Sequence, residues 1–248
     1  MYFRNPRTTV FVTLFLTLIS TTVVQAACNG LPSHADLEAA LKAAQAESNG
    51  GFGLNMWGTI VDRDGVVCAV AMTGNDRGDQ WPGSRVISAQ KANTANAFSL
   101  PGLSLATANL WEATQPGGSL FGLQFSNPVD TEVAYGTGSS TQSAMYGTRN
   151  DPLVNHQIGG VNVFGGGLAL YNSDGTIVGA VGVSGDSSCA DHNIAWRTRA
   201  NLFLDNSPGG VGPGGTDGIN YLPGVTGFGH PECGGTEKAV AIAIGAGG

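Results

Sequence analysis

Four histidines and one lysine are the side chains of this sequence best suited to acid–base or ligand chemistry. His34, His156, His192 and His230 each stand alone in sequence. Imidazole titrates close to neutrality and is the commonest metal and haem-iron ligand. A lone histidine at a helix start, as His34 and His192 are, ordinarily serves as a surface or capping residue. Lys91 lies in "SAQKANTANAF", a segment otherwise of small or uncharged residues. One reading has its apolar stem snorkel toward water. The other has its ammonium face a ligand carboxylate at a pocket.

No ready-made catalytic motif accompanies them. Gly182-Val183-Ser184-Gly185-Asp186 follows a nucleophile elbow until its last position, where Asp replaces Gly. No phosphate-binding G-x-x-x-x-G-K-[ST] is present. Asp62-Arg63-Asp64-Gly65 lacks the spacing and the closing Glu of a calcium loop. Arg77-Gly78-Asp79 is a short polar tripeptide that reads as solvated loop. The absence of C-x-x-C-H excludes covalent haem attachment.

The elements that must position these residues read as follows. Ser33 and Asp36 form a capping box ahead of "HADLEAALKAAQAE", a helix closed by Asn49-Gly50-Gly51. Two apolar runs joined through Asp62–Gly65 predict a hairpin over 52–72. A helix over 84–100 follows, then a shorter one in "LSLATANLWEAT", then a strand in "GSLFGLQFSNP". Residues 129–160 have no sustained period and read as a long insertion loop. A second hairpin over 161–183 turns at Asn172-Ser173-Asp174-Gly175. Ser188 with Asp191 predicts another capping box, opening a helix over 189–204. From Ser207 on, about a third of residues are glycine, which predicts a mostly irregular tail. Gly179, Gly182 and Gly185 stand inside or just after a strand, where glycine marks a bulge or a close approach by another group. Hairpins and a lone strand between helices predict an α+β fold, one antiparallel sheet covered by helices.

Composition narrows the setting. Arg4 and Arg7, an apolar run from Val10 to Ile19 and a small-x-small site at Val24-Gln25-Ala26 predict a secretory signal peptide over 1–26. The division is then leader 1–26, α+β domain 27–206 with its insertion, and tail 207–248. The full chain carries a net charge of −7, and −9 without Arg4 and Arg7. Only 12% of residues are charged. An acidic, charge-poor chain without a basic cluster argues against nucleic acid and anionic membrane surfaces as partners. Four cysteines, Cys28, Cys68, Cys189 and Cys233, predict two disulfides in an exported, periplasmic or extracellular protein. Three pairings exist, of which Cys28–Cys68 and Cys189–Cys233 are favoured.

"IVDRDGVVCAVAMTG", "SAQKANTANAF", "QPGGSLFGLQFSN", "VNVFGGGLALYNSDGTIVGAVGVSG" and "DHNIA" occur in the order seen in GlcG/HbpS-like haem-binding proteins. The resemblance covers roughly residues 31–204 apart from the insertion. It implies a single α+β domain with a five-stranded antiparallel sheet and helices on both faces. It also implies self-association into a homo-oligomer, often an octamer, and haem held non-covalently in a groove. Carried onto this chain, the pocket residues are Lys91, Thr94, Phe98, Gly117, Gly118 and His192, with His34 as a candidate axial ligand by location. The four cysteines, the insertion and the tail depart from the family pattern. The reading is an exported haem-binding, or similar large-ligand-binding, accessory protein. The alternatives are an enzyme acting on a small organic acid through Lys91 and His192, and a structural or assembly protein.

Overall fold

The computed structural model describes residues 1, 28–136, 138–223 and 227–248. The expected leader, Met1 apart, lies outside the described residues. The helices are α1 (His34–Gln45), α2 (Ser84–Phe98), α3 (Trp111–Thr114), α4 (Leu123–Ser126), α5 (Thr131–Tyr135), α6 (Ser140–Ser143), α7 (Ser188–Asn201) and α8 (Glu237–Ile244). The strands are β1 (Trp57–Asp62), β2 (Val67–Met72), β3 (Gly167–Tyr171), β4 (Ile177–Ser184), β5 (Asn220–Tyr221) and β6 (Gly229–His230). β1 to β4 form an antiparallel sheet in the order β2-β1-β4-β3, and β5 pairs with β6 in parallel.

The main sheet has four strands, not the five expected. "GSLFGLQFSNP" is not a strand: it forms the single turn α4, entered through Gly122 at φ 94°. That left-handed residue breaks any extended run, and Phe121 and Phe125 pack edge to face on the surface rather than alternating into a core.

Burial on both sheet faces follows the two-residue period of the strands. On one face Ile60, Ala69, Ala71, Leu168, Leu170, Val181 and Val183 pack with Leu37 and Leu41 of α1 and Ile194 and Ala195 of α7. On the other face Val61, Val67, Val70 and Ala180 meet Val86, Ala89, Ala92 and Ala95 of α2. The expectation of helices on both faces holds in this arrangement.

The strand glycines have a packing reason. Gly182 lies between Thr59 of β1 and Gly167 of β3 in register. A Cβ on Gly182 would run into Ser88 O and lie 2.5 Å from Ala92 N, and one on Gly167 would lie 2.5 Å from Lys91 O. The pair forms a floor on which the α2 backbone sits directly. Thr59 Oγ1 completes the row with a 2.8 Å hydrogen bond to Ser88 Oγ.

The insertion is built into the fold. Ala134, Leu153 and Ile158 join the α2-side core. Arg85 of α2 reaches Asp151 through Nε at 2.9 Å and a second, shorter contact, and donates to Ala134 O at 3.1 Å. The Tyr146 ring lies 3.8 Å from its guanidinium. The tail is likewise packed: Ile219, Tyr221, Ala241 and Ala246 close a cluster with Ala108 and Cys189. Arg199 holds Asp217 of the tail through two bonds of 2.5 and 2.8 Å. Disulfides join Cys28 to Cys68 and Cys189 to Cys233. Among the described residues no helix is long and apolar enough to cross a membrane.

Candidate functional site

Lys91 lines a cleft that gathers ionisable, hydroxyl and aromatic side chains. Ser84, Ile87 and Lys91 share a stripe of α2, three and four residues apart. Trp81 enters from the loop before α2 and Phe164 from the run leading into β3. Ser184 ends β4, and Ser188 and Asp191 open α7. The cleft holds about 280 Å³. Trp81 and Phe164 are about half exposed, so two large apolar rings flank a polar floor.

The floor is an ion pair. Lys91 Nζ donates to Asp191 Oδ2 at 2.6 Å and to Val183 O at 3.0 Å. Asp191 Oδ1 accepts from the N–H groups of Gly185 (3.1 Å) and Asp186 (2.8 Å). Lys91 and Asp191 are 1% and 2% exposed. Burial lowers the lysine pKa against the pull of Asp191, and burial raises Asp191 to about 6 against the pull of Lys91. Desolvation therefore outweighs the attraction for both partners.

The expected capping box at Ser188 does not form. Ser187 is the N-cap of α7, its Oγ accepting from Ala190 N, and Asp191 is freed to meet Lys91. Ser188 instead joins His230, forty-two residues away, with 2.8 Å between Oγ and Nε2. Sequence reasoning missed this pair and had no local signal for it. His230 comes from the glycine-rich tail, which the Cys189–Cys233 disulfide ties to the start of α7.

Of the seven expected ligand-site residues, Lys91 alone lines the cleft. Thr94 Oγ1 donates to Gln90 O at 2.7 Å and accepts from Asn162 N at 2.9 Å. Phe98 packs against Leu105, Leu110 and Val163. Gly117 is exposed in the turn after α3, and Gly118 sits against the Ala113 carbonyl. His192 is fully buried; its Nε2 donates to Ala246 O at 3.0 Å and its Nδ1 has no partner. Burial takes its pKa to about 4. His34 is part-buried on α1, 2.9 Å from Gly147 O. His156, on the insertion, is exposed.

A larger hollow of about 550 Å³ lies between the α1 start and the α7 end, lined by residues including Leu31, Asp36, Ala40 and Phe203. Its only ionisable group, Asp36, is committed to capping α1.

A family model described as haem degrading protein HbpS-like matches residues 33–199. The chain has no match among curated proteins. Two solved structures are similar at 23% identity. One is a crystal structure of a PduOC:heme complex, aligned over 70% of this chain and 94% of that one with a TM-score of 0.47. The other is the Klebsiella pneumoniae protein ORFY, over 69% and 90%, with a TM-score of 0.45.

Proposed function

The chain belongs to the HbpS-like family of haem degrading proteins, and on that footing we propose that it is an exported accessory protein that binds haem at the edge of a homo-oligomer. The observation that carries this reading is the cleft of Trp81 and Phe164 over Lys91, Ser184 and Ser188. Two half-exposed aromatic faces suit a flat apolar ring, and the Ser184 and Ser188 hydroxyls beside them can meet its polar edge.

Of the seven residues expected around haem, Lys91 lines this cleft and the other six lie outside its lining. Lys91 is engaged by Asp191, and the ring nitrogens of His192 are sealed in the core. The cleft, about 280 Å³, is at the lower limit of cavities that enclose a small ligand. A macrocycle would leave one edge uncovered, and a second copy of the chain would cover it. That is the support for self-association. No histidine lines the cleft. His34 and His156, which reach the surface, are the imidazoles able to approach iron from a neighbouring protomer.

Titration of the oxidised, mature protein with haemin, followed by absorption, tests the reading. A saturable Soret shift near one haem per subunit or per subunit pair is expected. Trp81→Ala and Phe164→Ala each weaken it about tenfold, roughly the loss of one aromatic contact. A response that never saturates would sink haem binding. Saturation untouched by both variants would move it out of this cleft.

A further inference from the structure

We propose that Ser188 and His230 form a nucleophile–base pair, and that the cleft has acyl-transfer activity toward carboxylic esters with an apolar or aromatic group.

The hydrogen-bond directions are settled by which atoms can donate. His230 Nδ1 lies 2.7 Å from Pro231 O. A carbonyl oxygen only accepts, so Nδ1 carries the hydrogen and Nε2 presents a lone pair. Ser188 Oγ is 2.8 Å from that lone pair and must donate to it. Gly165 N–H donates to the same Oγ at 2.7 Å, which leaves the hydroxyl hydrogen no competing use there. The set is a serine, a base within reach of its proton and a backbone carbonyl that holds the base in the required tautomer. This is the logic of nucleophilic catalysis with the carbonyl in the place of a carboxylate. Burial lowers the His230 pKa to about 4, so the ring is neutral at pH 7 but a weaker base than a solvated imidazole; the assignment stands on the geometry.

The surroundings agree. His230 is 2% exposed and its ring packs 5.9 Å from that of Trp111, so its orientation is fixed. Ser188 is the first residue of α7, a helix of fourteen residues whose amino end favours developing negative charge. It lines the cleft with Phe164, Ile87 and Trp81, which supply an apolar seat.

In the step, Ser188 Oγ bonds to the ester carbonyl carbon and its proton passes to His230 Nε2. The carbon–alkoxy bond then breaks, and the leaving alcohol takes that proton. Water attacks the acyl-serine by the same route, releasing the acid and restoring Ser188. Nothing is oxidised or reduced, and water is the sole co-reactant.

The test uses the full oxidised protein and does not depend on haem. An alkyl fluorophosphonate is incubated with it and the adduct located by peptide mass spectrometry. The expected result is about one adduct per chain, at Ser188 and not at Ser84 or Ser184. p-Nitrophenyl acetate should show a burst of p-nitrophenolate. His230→Gln should slow both by about 100-fold or more, with melting temperature and both disulfides kept. Should that variant not fold, labelling of the unaltered chain decides alone. Absence of any adduct on the wild-type protein overturns the proposal. So does labelling spread over several serines, or at a rate unchanged in folded His230→Gln.

Discussion

Lys91 Nζ and Asp191 Oδ2, a hundred residues apart, meet at 2.6 Å and tie α2 to α7 across the carboxyl end of β4. Both groups are almost wholly buried, and burial opposes the charge of each. Such a pair contributes little net stability, yet losing one member strands a charge. Lys91→Met should therefore cost about 3 kcal/mol or more in urea unfolding. Lys91→Met combined with Asp191→Asn should recover a good part of it. Equal losses in the single and double variants would show that lost packing, rather than stranded charge, is responsible.

Gly182 has no room for a side chain. Its Cβ would meet backbone atoms of Ser88 and Ala92, not the yielding end of a long chain. Gly182→Ala should push α2 off the sheet, costing about 2 kcal/mol or more by overpacking. Gly175, at the tip of the β3–β4 turn, has nothing within 4 Å of a Cβ but a φ of 80°. Its alanine variant should lose about 1 kcal/mol from backbone strain alone. A thermal-melt series comparing the two checks the order.

The local devices of this fold are readable in sequence, and the long-range ones are not. Ser33 and Asp36 announce α1 because a capping box is a four-residue motif, and both of its bonds are present. Both hairpin turns follow from Asp-Gly. The apolar residues of "GSLFGLQFSNP" suggest a strand, yet Gly122 in the left-handed region turns them into a short exposed helix. The insertion lacks any period because its order comes from Arg85, sixty-six residues from Asp151. The same applies to the candidate site. Lys91 stands out as a cation among small residues, whereas Asp191 reads as a helix cap. Ser188 and His230 share no motif, and the one sequence signal that their segments meet is the Cys189–Cys233 pairing beside them.

Acid should destabilise this protein through two histidines. His192 and His230 are held at about 4 when folded, against an ordinary value of 6.5. Above pH 6.5 both states are neutral there and stability is full. Between pH 6.5 and 4 the unfolded chain takes protons that the folded one refuses, so stability falls by about 1 kcal/mol per pH unit for each histidine. The groups acting on His192 are Asp217, which favours its charge, and Arg199 and His230, which oppose it. Asp191 acts in reverse: at about 6 folded and 3.8 ordinarily, it binds its proton more readily in the folded state and partly offsets the loss. Urea unfolding at pH 7, 5.5 and 4.5 should show a net decline, and His230→Gln should flatten it. A wild-type stability that rises on acidification would contradict the assignment.

Arg85 and Asp151 should decide whether the insertion is clamped. Asp151 accepts from Arg85, from Gly147 N at 2.7 Å and from Leu153 N at 2.9 Å. Asp151→Asn removes the charge that Arg85 needs and supplies N–H groups where backbone donors already point. The loss should be about 3 kcal/mol, that of a broken buried pair. It should fall unevenly. The sheet and its α1 and α7 face retain their own core, whereas residues 129–160 reach the α2-side cluster through Ala134, Leu153 and Ile158. Limited proteolysis should therefore cut Asp151→Asn first within 129–160, while the wild-type chain resists there. Cleavage at the same rate in both would mean the apolar contacts hold the segment without the ion pair.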